Sequence, residues 1–148
     1  MASIVRNARG NNNDVIIRHL LVDDSQTIAI GDLLQIESTA GKLELAVAAS
    51  TSIVGIALEA ITTTTATAAD VIPVALVRGQ VVRVDVYQGG GKDTFDQADF
   101  YLTAYDLEDE VSVDPNDTTN GMCYVVANDQ TANTADVIFA DASLANVG

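Results

Sequence analysis

The sequence predicts an all-β domain, either a small antiparallel β-sandwich or a β-barrel-like domain, with an extended N-terminal arm. Short apolar runs recur along the chain, with Gly, Asp, Asn and Thr clusters between them. Sustained helical periodicity is absent. The 148 residues are 48% hydrophobic but only 5% aromatic, with no Trp. One domain of ordinary size, with a core of Val, Ile, Leu and Ala, is therefore expected.

Ten short runs have the composition of strands. They are residues 15–22, 33–37, 43–48, 53–59, 71–77, 81–87, 100–104, 110–113, 122–127 and 136–140. Residues 98–107 also fit a short helix. Residues 61–70 read ITTTTATAAD, and the four successive threonines favour extended backbone without a core pattern. We expect this segment to be a long exposed loop or an extended edge arm.

The N-terminal arm, residues 1–13, differs in charge from the single domain predicted for residues 14–148. The arm holds Arg6 and Arg9 and no acid, whereas the whole chain carries a net charge of −14. That excess of acid disfavours direct binding to nucleic acid. The arm is either a frayed terminus or a clasp that orders only on assembly. In the second case Ile4 and Val5 are apolar anchors, and the two arginines make charge-assisted contacts.

Residues 71–86, VIPVALVRGQVVRVDV, are predicted to form a β-hairpin. A two-residue turn at Gly79-Gln80 would mix core residues with charged ones on one face. A three-residue turn over 77–79, with Gly79 in the left-handed conformation, avoids this. It places six apolar side chains on one face, each worth roughly 1.5–3 kcal/mol when buried. They are Ile72, Val74, Leu76, Val82, Val84 and Val86.

The other face of this hairpin is a candidate docking surface for another subunit. It carries Pro73, Ala75, Val81, Arg83 and Asp85, a mixture of apolar and charged side chains. Pro73 has no amide hydrogen, which suits an edge strand. The alternative is that these apolar residues are ordinary surface scatter.

Candidate nucleophiles and metal ligands are few. His19 is the single histidine, so a His cluster for zinc is excluded. Cys123 is the single cysteine, which excludes an internal disulfide, and it lies in an apolar strand pattern typical of a buried side chain. The QGGGKDT stretch at 88–94 departs from the phosphate-loop pattern at two positions. The sequence therefore predicts no catalytic residue and no cofactor.

The stretch VDPNDTTNG at 113–121 offers Asp114, Asn116 and Asp117 as oxygen ligands for calcium. It lacks the glycine and the bidentate glutamate that an EF-hand loop requires. Ordinary turn chemistry is the competing interpretation, and no metal is predicted. No apolar run approaches the roughly 20 residues of a membrane helix, so no membrane partner is expected and the chain is expected to be soluble.

Residues 31–86 resemble small tailed-phage head proteins that decorate or cement capsids. The shared features are Gly31-Asp32 before a strand, the turn at Gly41, the V-G-I-A sequence at 54–57, and a V-x-[VL]-x-x-G-x-[VF] pattern that reads VALVRGQV at 74–81. Gly31, Gly41 and Gly79 would serve turns, and Gly55 would allow close backbone approach or a bulge. This chain departs from the family in its longer, uncharged Thr/Ala link.

The resemblance implies a non-enzymatic structural protein of the virion, made in the host cytoplasm and attached to the outer surface of the head. Its partners would be the major capsid protein, whose neighbouring subunits it bridges, and further copies of itself, with a trimer favoured. A rival interpretation is a carbohydrate-binding or host-adhesion β domain, which would need exposed aromatic side chains. A hydrolase or metal-dependent enzyme is a third.

Overall fold

The prediction of an all-β chain is confirmed. A computed structural model describes residues 1–8 and 15–146, and its regular elements there are strands and two single 3₁₀ turns, Gln97–Asp99 and Asp141–Ser143. The strands are β1 (Ser3–Asn7), β2 (Ile17–Leu21), β3 (Thr27–Ile28), β4 (Leu33–Ile36), β5 (Leu43–Leu45), β6 (Ile53–Ala57), β7 (Ile61–Thr62), β8 (Val71–Leu76), β9 (Gln80–Val86), β10 (Ala104–Leu107), β11 (Ser112–Asp114), β12 (Cys123–Asp129) and β13 (Thr134–Phe139).

Five of these strands close into a small mixed barrel. The order is β9, β11, β10, β12 and β13, and the pairing of β13 with β9 completes the ring. Only β9 and β11 run parallel; the other pairs are antiparallel. Strand β1 adds to β9 outside the ring, along residues 80–83, while β11 pairs with β9 at residues 85–86.

A second, antiparallel sheet has the order β2-β8-β6-β4-β5. A parallel bridge between Val22, just after β2, and Leu43 of β5 brings the two outer strands of this sheet together. The sheet therefore curls around its own core. Strands β3 and β7 form a separate two-stranded ribbon.

The buried apolar residues form two clusters. The larger fills the barrel and reaches the second sheet through Leu33, Ile53 and Ile56. The smaller is made by side chains on the opposite face of that sheet, including Leu34 and Val54. Because successive side chains of a strand point to opposite faces, β4 and β6 contribute to both clusters. Accordingly, all five residues of β6 are buried.

The hairpin predicted for 71–86 is wrong, although its turn has the expected conformation. Gly79 has a φ of 71°, and the amide of Gln80 donates to the carbonyl of Val77 at 3.0 Å. The flanking strands then separate into different sheets. The six apolar residues are buried as predicted, but Ile72, Val74 and Leu76 belong to the smaller cluster and Val82, Val84 and Val86 to the larger.

The expectation that Pro73 marks an edge strand is also wrong. Strand β8 lies between β2 and β6. The carbonyl of Pro73 accepts from the amide of Leu58, just beyond the last residue of β6. In antiparallel pairing, the nitrogen and carbonyl of one residue point to the same neighbour. The missing amide hydrogen therefore faces the end of β6, where the ladder stops.

The described part of the N-terminal arm, residues 1–8, is already ordered in the single chain. Residues 3–7 form β1 and pair with β9, and Ala2 is buried. Ile4 packs against the larger core, so it is not a free anchor. Val5 and Arg6 are exposed. Arg9 lies in the segment 9–14, outside the described residues.

Two other segments differ in part from expectation, although residues 64–70 are loop and mostly exposed, as expected. Within residues 61–70, Ile61 and Thr62 form β7, and Thr63 is buried with its hydroxyl donating to the carbonyl of Asp23 at 2.6 Å. Within residues 98–107 a short helix is absent: one 3₁₀ turn ends at Asp99, and the strand begins at Ala104, where the predicted run 100–104 ends.

Candidate functional site

Cys123 lies inside the barrel and is fully buried. Burial, and to a lesser extent the charge of Asp106, raises the pKa of its thiol well above the ordinary value. The sulfur contacts the carbonyl oxygen of Tyr105 at 3.4 Å. Since the thiolate is the reactive form, this position is unsuited to nucleophilic chemistry.

We expect Cys123 to be unreactive toward a thiol reagent such as Ellman's reagent in the native protein. In urea at the same pH, one thiol per chain should react, because unfolding removes the burial that disfavours the thiolate. Absorbance at completion in the two conditions measures this. Rapid labelling of the native protein would contradict the burial of Cys123.

The acidic loop considered for calcium engages Asp114, Asn116 and Asp117 in hydrogen bonds within the chain. The carboxylate of Asp114 accepts a hydrogen bond from the backbone amide of Asn116 at 2.8 Å. The side chain of Asn116 accepts from the backbone amide of Lys92 and donates to the Lys92 carbonyl, both at 2.7 Å. A hydrogen bond from Thr119 lowers the pKa of Asp117. Within the described residues, no group of three or more His, Cys, Asp or Glu is placed to hold a metal ion.

The lysine that follows the Gly-rich stretch lies in a polar cluster at one end of the barrel. Lys92 Nζ is 2.7 Å from Asp99 and 5.9 Å from the ring centroids of Phe95 and Tyr105. Asp99 also accepts the Tyr105 hydroxyl at 2.7 Å. Burial, reinforced by this bond to Asp99, raises the pKa of Tyr105 to about 12. The cluster fixes the 88–99 loop against the barrel.

The pKa of Asp99 is lowered: burial acts against ionisation, but hydrogen bonds from Lys92, the Asp96 amide and Tyr105 outweigh it. A lowered folded-state pKa stabilises the protein above the ordinary carboxyl value of 3.8. That stabilisation is lost as the pH falls through the folded-state pKa. Between about pH 5 and pH 2, the wild type should therefore lose stability more steeply than Asp99→Asn. Urea midpoints across this range test it, and parallel curves would contradict it.

The contact surface predicted on the 71–86 segment is mostly unavailable. Ala75 and Val81 are buried, and Pro73 is half-buried. Arg83 is held by Asp136 of the adjacent strand through two bonds of 2.8 and 3.1 Å. The carboxylate of Asp85 forms an ion pair with the amino group of Met1 at 3.0 Å. These residues therefore serve the fold of this chain.

The open edge of the second sheet lies one strand away, at β2. Within the described residues β2 pairs only with β8. The carbonyl of Ile16 accepts from Leu76, and the amide of Val22 donates to Asp70, so the even-numbered residues point toward β8. The backbone groups of Ile17, His19 and Leu21 must then point outward, because bonding direction alternates along a strand. The Leu21 end of this edge meets β5, where Val22 bridges Leu43 and the amide of Asp23 donates to the Leu43 carbonyl at 2.9 Å. At the other end, the Ile17 carbonyl accepts from the Arg18 guanidinium at 3.3 Å, so the open part of the edge is centred on His19.

An apolar groove lies beside this edge, where the barrel and the second sheet diverge. Its volume is about 330 Å³. Residues 1–4 form one wall. Its floor is a cross-strand row in which Ile17 lies opposite Ala75, and Ala75 opposite Ile56. At its rim are Val15, Ile30 and Leu58, all exposed.

Two arginines near this surface have no ion pair within the described residues. The ion pairs in that part of the chain engage the Met1 amino group, Lys42, Arg78, Arg83 and Lys92. By contrast, Arg6 on β1 and Arg18 on β2 have no described carboxylate within 4.0 Å. In a chain of net charge −14, the two strands that flank the groove are thus locally basic.

Sequence reasoning found the β2 strand but missed its surface. The run VIIRHLLV is apolar on both faces, which suggests complete burial, whereas Ile17 and Leu21 are 48% and 42% exposed. An edge strand with exposed apolar residues normally pairs with or packs against another segment, but the sequence does not show that β2 is an edge strand. The groove could not be predicted either, because its residues come from segments far apart in the sequence.

No protein-family model matches the chain, and no curated protein matches it. Among residues 1–8 and 15–146, no helix has the length and apolar character needed to cross a membrane.

Proposed function

We propose that this chain is a structural protein of a phage virion that decorates the outer surface of the head and bridges neighbouring major capsid subunits. The resemblance of residues 31–86 to decoration proteins motivates the proposal. The observation that carries it is the open edge of β2 with its exposed apolar side chains. A native edge strand is usually blunted by charge, proline or a covering segment.

The attachment we propose is addition of an extended capsid segment to β2. The outward amide and carbonyl of His19 offer hydrogen bonds, and the exposed side chains of Ile17 and Leu21 offer apolar contacts on one face of the strand. Arg18 supplies an unpaired charge for a carboxylate of the added segment. The protein then stabilises the head by joining subunits, and no chemical step is involved.

His19→Pro tests this attachment. The amide of His19 points away from β8, so proline removes an outward donor and leaves the ladder to β8 intact. We expect capsid binding, measured by co-sedimentation with undecorated heads, to fall about tenfold, because the partner carbonyl is left without its donor. The urea midpoint should change little. His19→Ala is the matched control: it removes the same side chain, keeps the amide, and should bind like the wild type.

Equal binding by the proline and alanine variants would refute strand addition at β2. If the wild type itself fails to bind heads, the decoration proposal is wrong as a whole. Electron cryo-microscopy of decorated particles adds a direct check, because the chain should lie on the outer lattice with β2 against a capsid subunit.

The carbohydrate-binding alternative is favoured by one observation, the exposure of Tyr101 and Tyr124. Exposed aromatic rings can stack on sugars. Binding on a glycan array, lost in Tyr124→Ala and kept in His19→Pro, would support this alternative over capsid attachment.

A further inference from the structure

A second apolar feature protrudes from the barrel, at the loop between the 3₁₀ turn at 97–99 and β10. Leu102 is 82% exposed and Tyr101 is 65% exposed, the former being the most exposed large apolar side chain in the described residues. The loop is not loose: the amide of Tyr101 donates to the carbonyl of Val125 at 3.0 Å. Tyr101 has a φ of 64°, which is unfavourable for a bulky residue. The chain therefore holds these side chains outward at a cost in conformational energy.

The apolar groove has the complementary character. Its floor of Ile17, Ala75 and Ile56 is aliphatic, and its volume of about 330 Å³ suits one or two large side chains. The same three rim residues, Val15, Ile30 and Leu58, extend the apolar surface outward. An aliphatic and aromatic tip is the kind of group that such a concave site takes up.

The charges around the two features are also complementary. The strands beside the groove carry the unpaired Arg6 and Arg18. The segment before the protruding loop carries the exposed acids Asp93 and Asp96, neither of which has an ion pair within the described residues. Opposite potentials at two surfaces favour their encounter and reduce the repulsion between two chains of net charge −14.

We propose that Tyr101 and Leu102 of one copy insert into the apolar groove of a second copy of this chain. The contact joins two different patches, so it supports either a closed ring or a pair with two reciprocal contacts. It does not rest on capsid binding. His19→Pro alters the strand edge and Leu102→Glu alters the protruding loop, so either proposal can fail while the other survives.

The test uses full-length chains in analytical ultracentrifugation over a series of concentrations. The wild type should sediment as an oligomer. Leu102→Glu, which disables the loop, and Ile17→Glu or Ile30→Glu, which disable the groove from two different segments, should each sediment as monomers. Val47→Glu is the matched control, because Val47 is 51% exposed but belongs to neither feature. It should associate like the wild type.

Mixing gives the decisive result. The Leu102→Glu chain keeps an intact groove and the Ile30→Glu chain keeps an intact loop, so a mixture should form a one-to-one pair that neither chain forms alone. Circular dichroism establishes that each variant is folded. A monomeric wild type at all concentrations, loop and groove variants that still oligomerise, or a mixture that stays monomeric would each overturn the proposal.

Discussion

Replacing Phe95 by alanine is expected to lower the free energy of unfolding by about 3–5 kcal/mol, as for other large aromatic side chains removed from a core. Phe95 is 1% exposed and belongs to the larger cluster. Its ring meets that of Tyr105 edge-on, with centroids 4.8 Å apart and planes at 70°. Removing the ring leaves a cavity beside Tyr105, because the packed neighbours relax only partly.

The size of this effect matters because a domain of ordinary size is stable by only about 5–15 kcal/mol. Urea unfolding followed by circular dichroism measures the change. Phe100→Ala is the control. Phe100 is half-buried and packs against the margin of the same cluster, so this variant should lose less free energy of unfolding than Phe95→Ala. Equal losses would show that Phe95 has no special place in the barrel.

The valine periodicity of residues 71–86 predicted which side chains are buried but not which strands pair. Alternation specifies that Ile72, Val74 and Leu76 share a face, and they do. It contains no information on the partner strand. A left-handed Gly79 is compatible both with a hairpin and with a connection between two sheets. In the structure, β8 packs its apolar face into the smaller core cluster and β9 packs into the larger one.

The shortest strands could not be predicted from the sequence for a related reason. Strands β3 and β7 have two residues each, and their pairing joins Thr27–Ile28 to Ile61–Thr62. Strand β1 has only two residues with strong β preference, Ile4 and Val5, beside Ser3, Arg6 and Asn7, and it forms by pairing with the edge of β9. In both cases tertiary pairing outweighs local preference.

The candidate site illustrates the same limit. Its edge strand was recognisable as an apolar run, yet its exposure depends on β8 being its only described neighbour. The groove depends on Ile17, Ala75 and Ile56 meeting across three strands. The exposed Leu102 lay in the segment whose secondary structure was ambiguous, so no periodicity marked it.

Replacing Gly55 by alanine is expected to destabilise the protein by about 1–3 kcal/mol, the usual cost of overpacking. A Cβ at this position would lie 2.3 Å from the Ala75 carbonyl oxygen and 2.5 Å from a methyl of Val74. The first contact is with backbone, so β8 must move relative to β6. The bulge beside Gly55, where β4 pairs with Gly55 and then with Ile53, leaves little freedom on the other side.

Gly91→Ala is the matched control. Its added Cβ would meet nothing closer than 3.9 Å, and its backbone lies outside the left-handed region. We expect it to change stability by less than about 0.5 kcal/mol. Equal urea midpoints for the two variants would show that β6 and β8 have room to separate.

Gly55→Ala should also act beyond stability. Strand β2 is attached to the sheet through β8, and Ala75 of β8 contributes to the groove floor. A displacement of β8 therefore shifts the open edge and the groove together. In conditions where Gly55→Ala remains folded, we expect weakened head binding and weakened self-association, whereas His19→Pro weakens only the first and Leu102→Glu only the second. A Gly55→Ala protein that is folded and unchanged in both measurements would show that the two surfaces do not depend on this close contact.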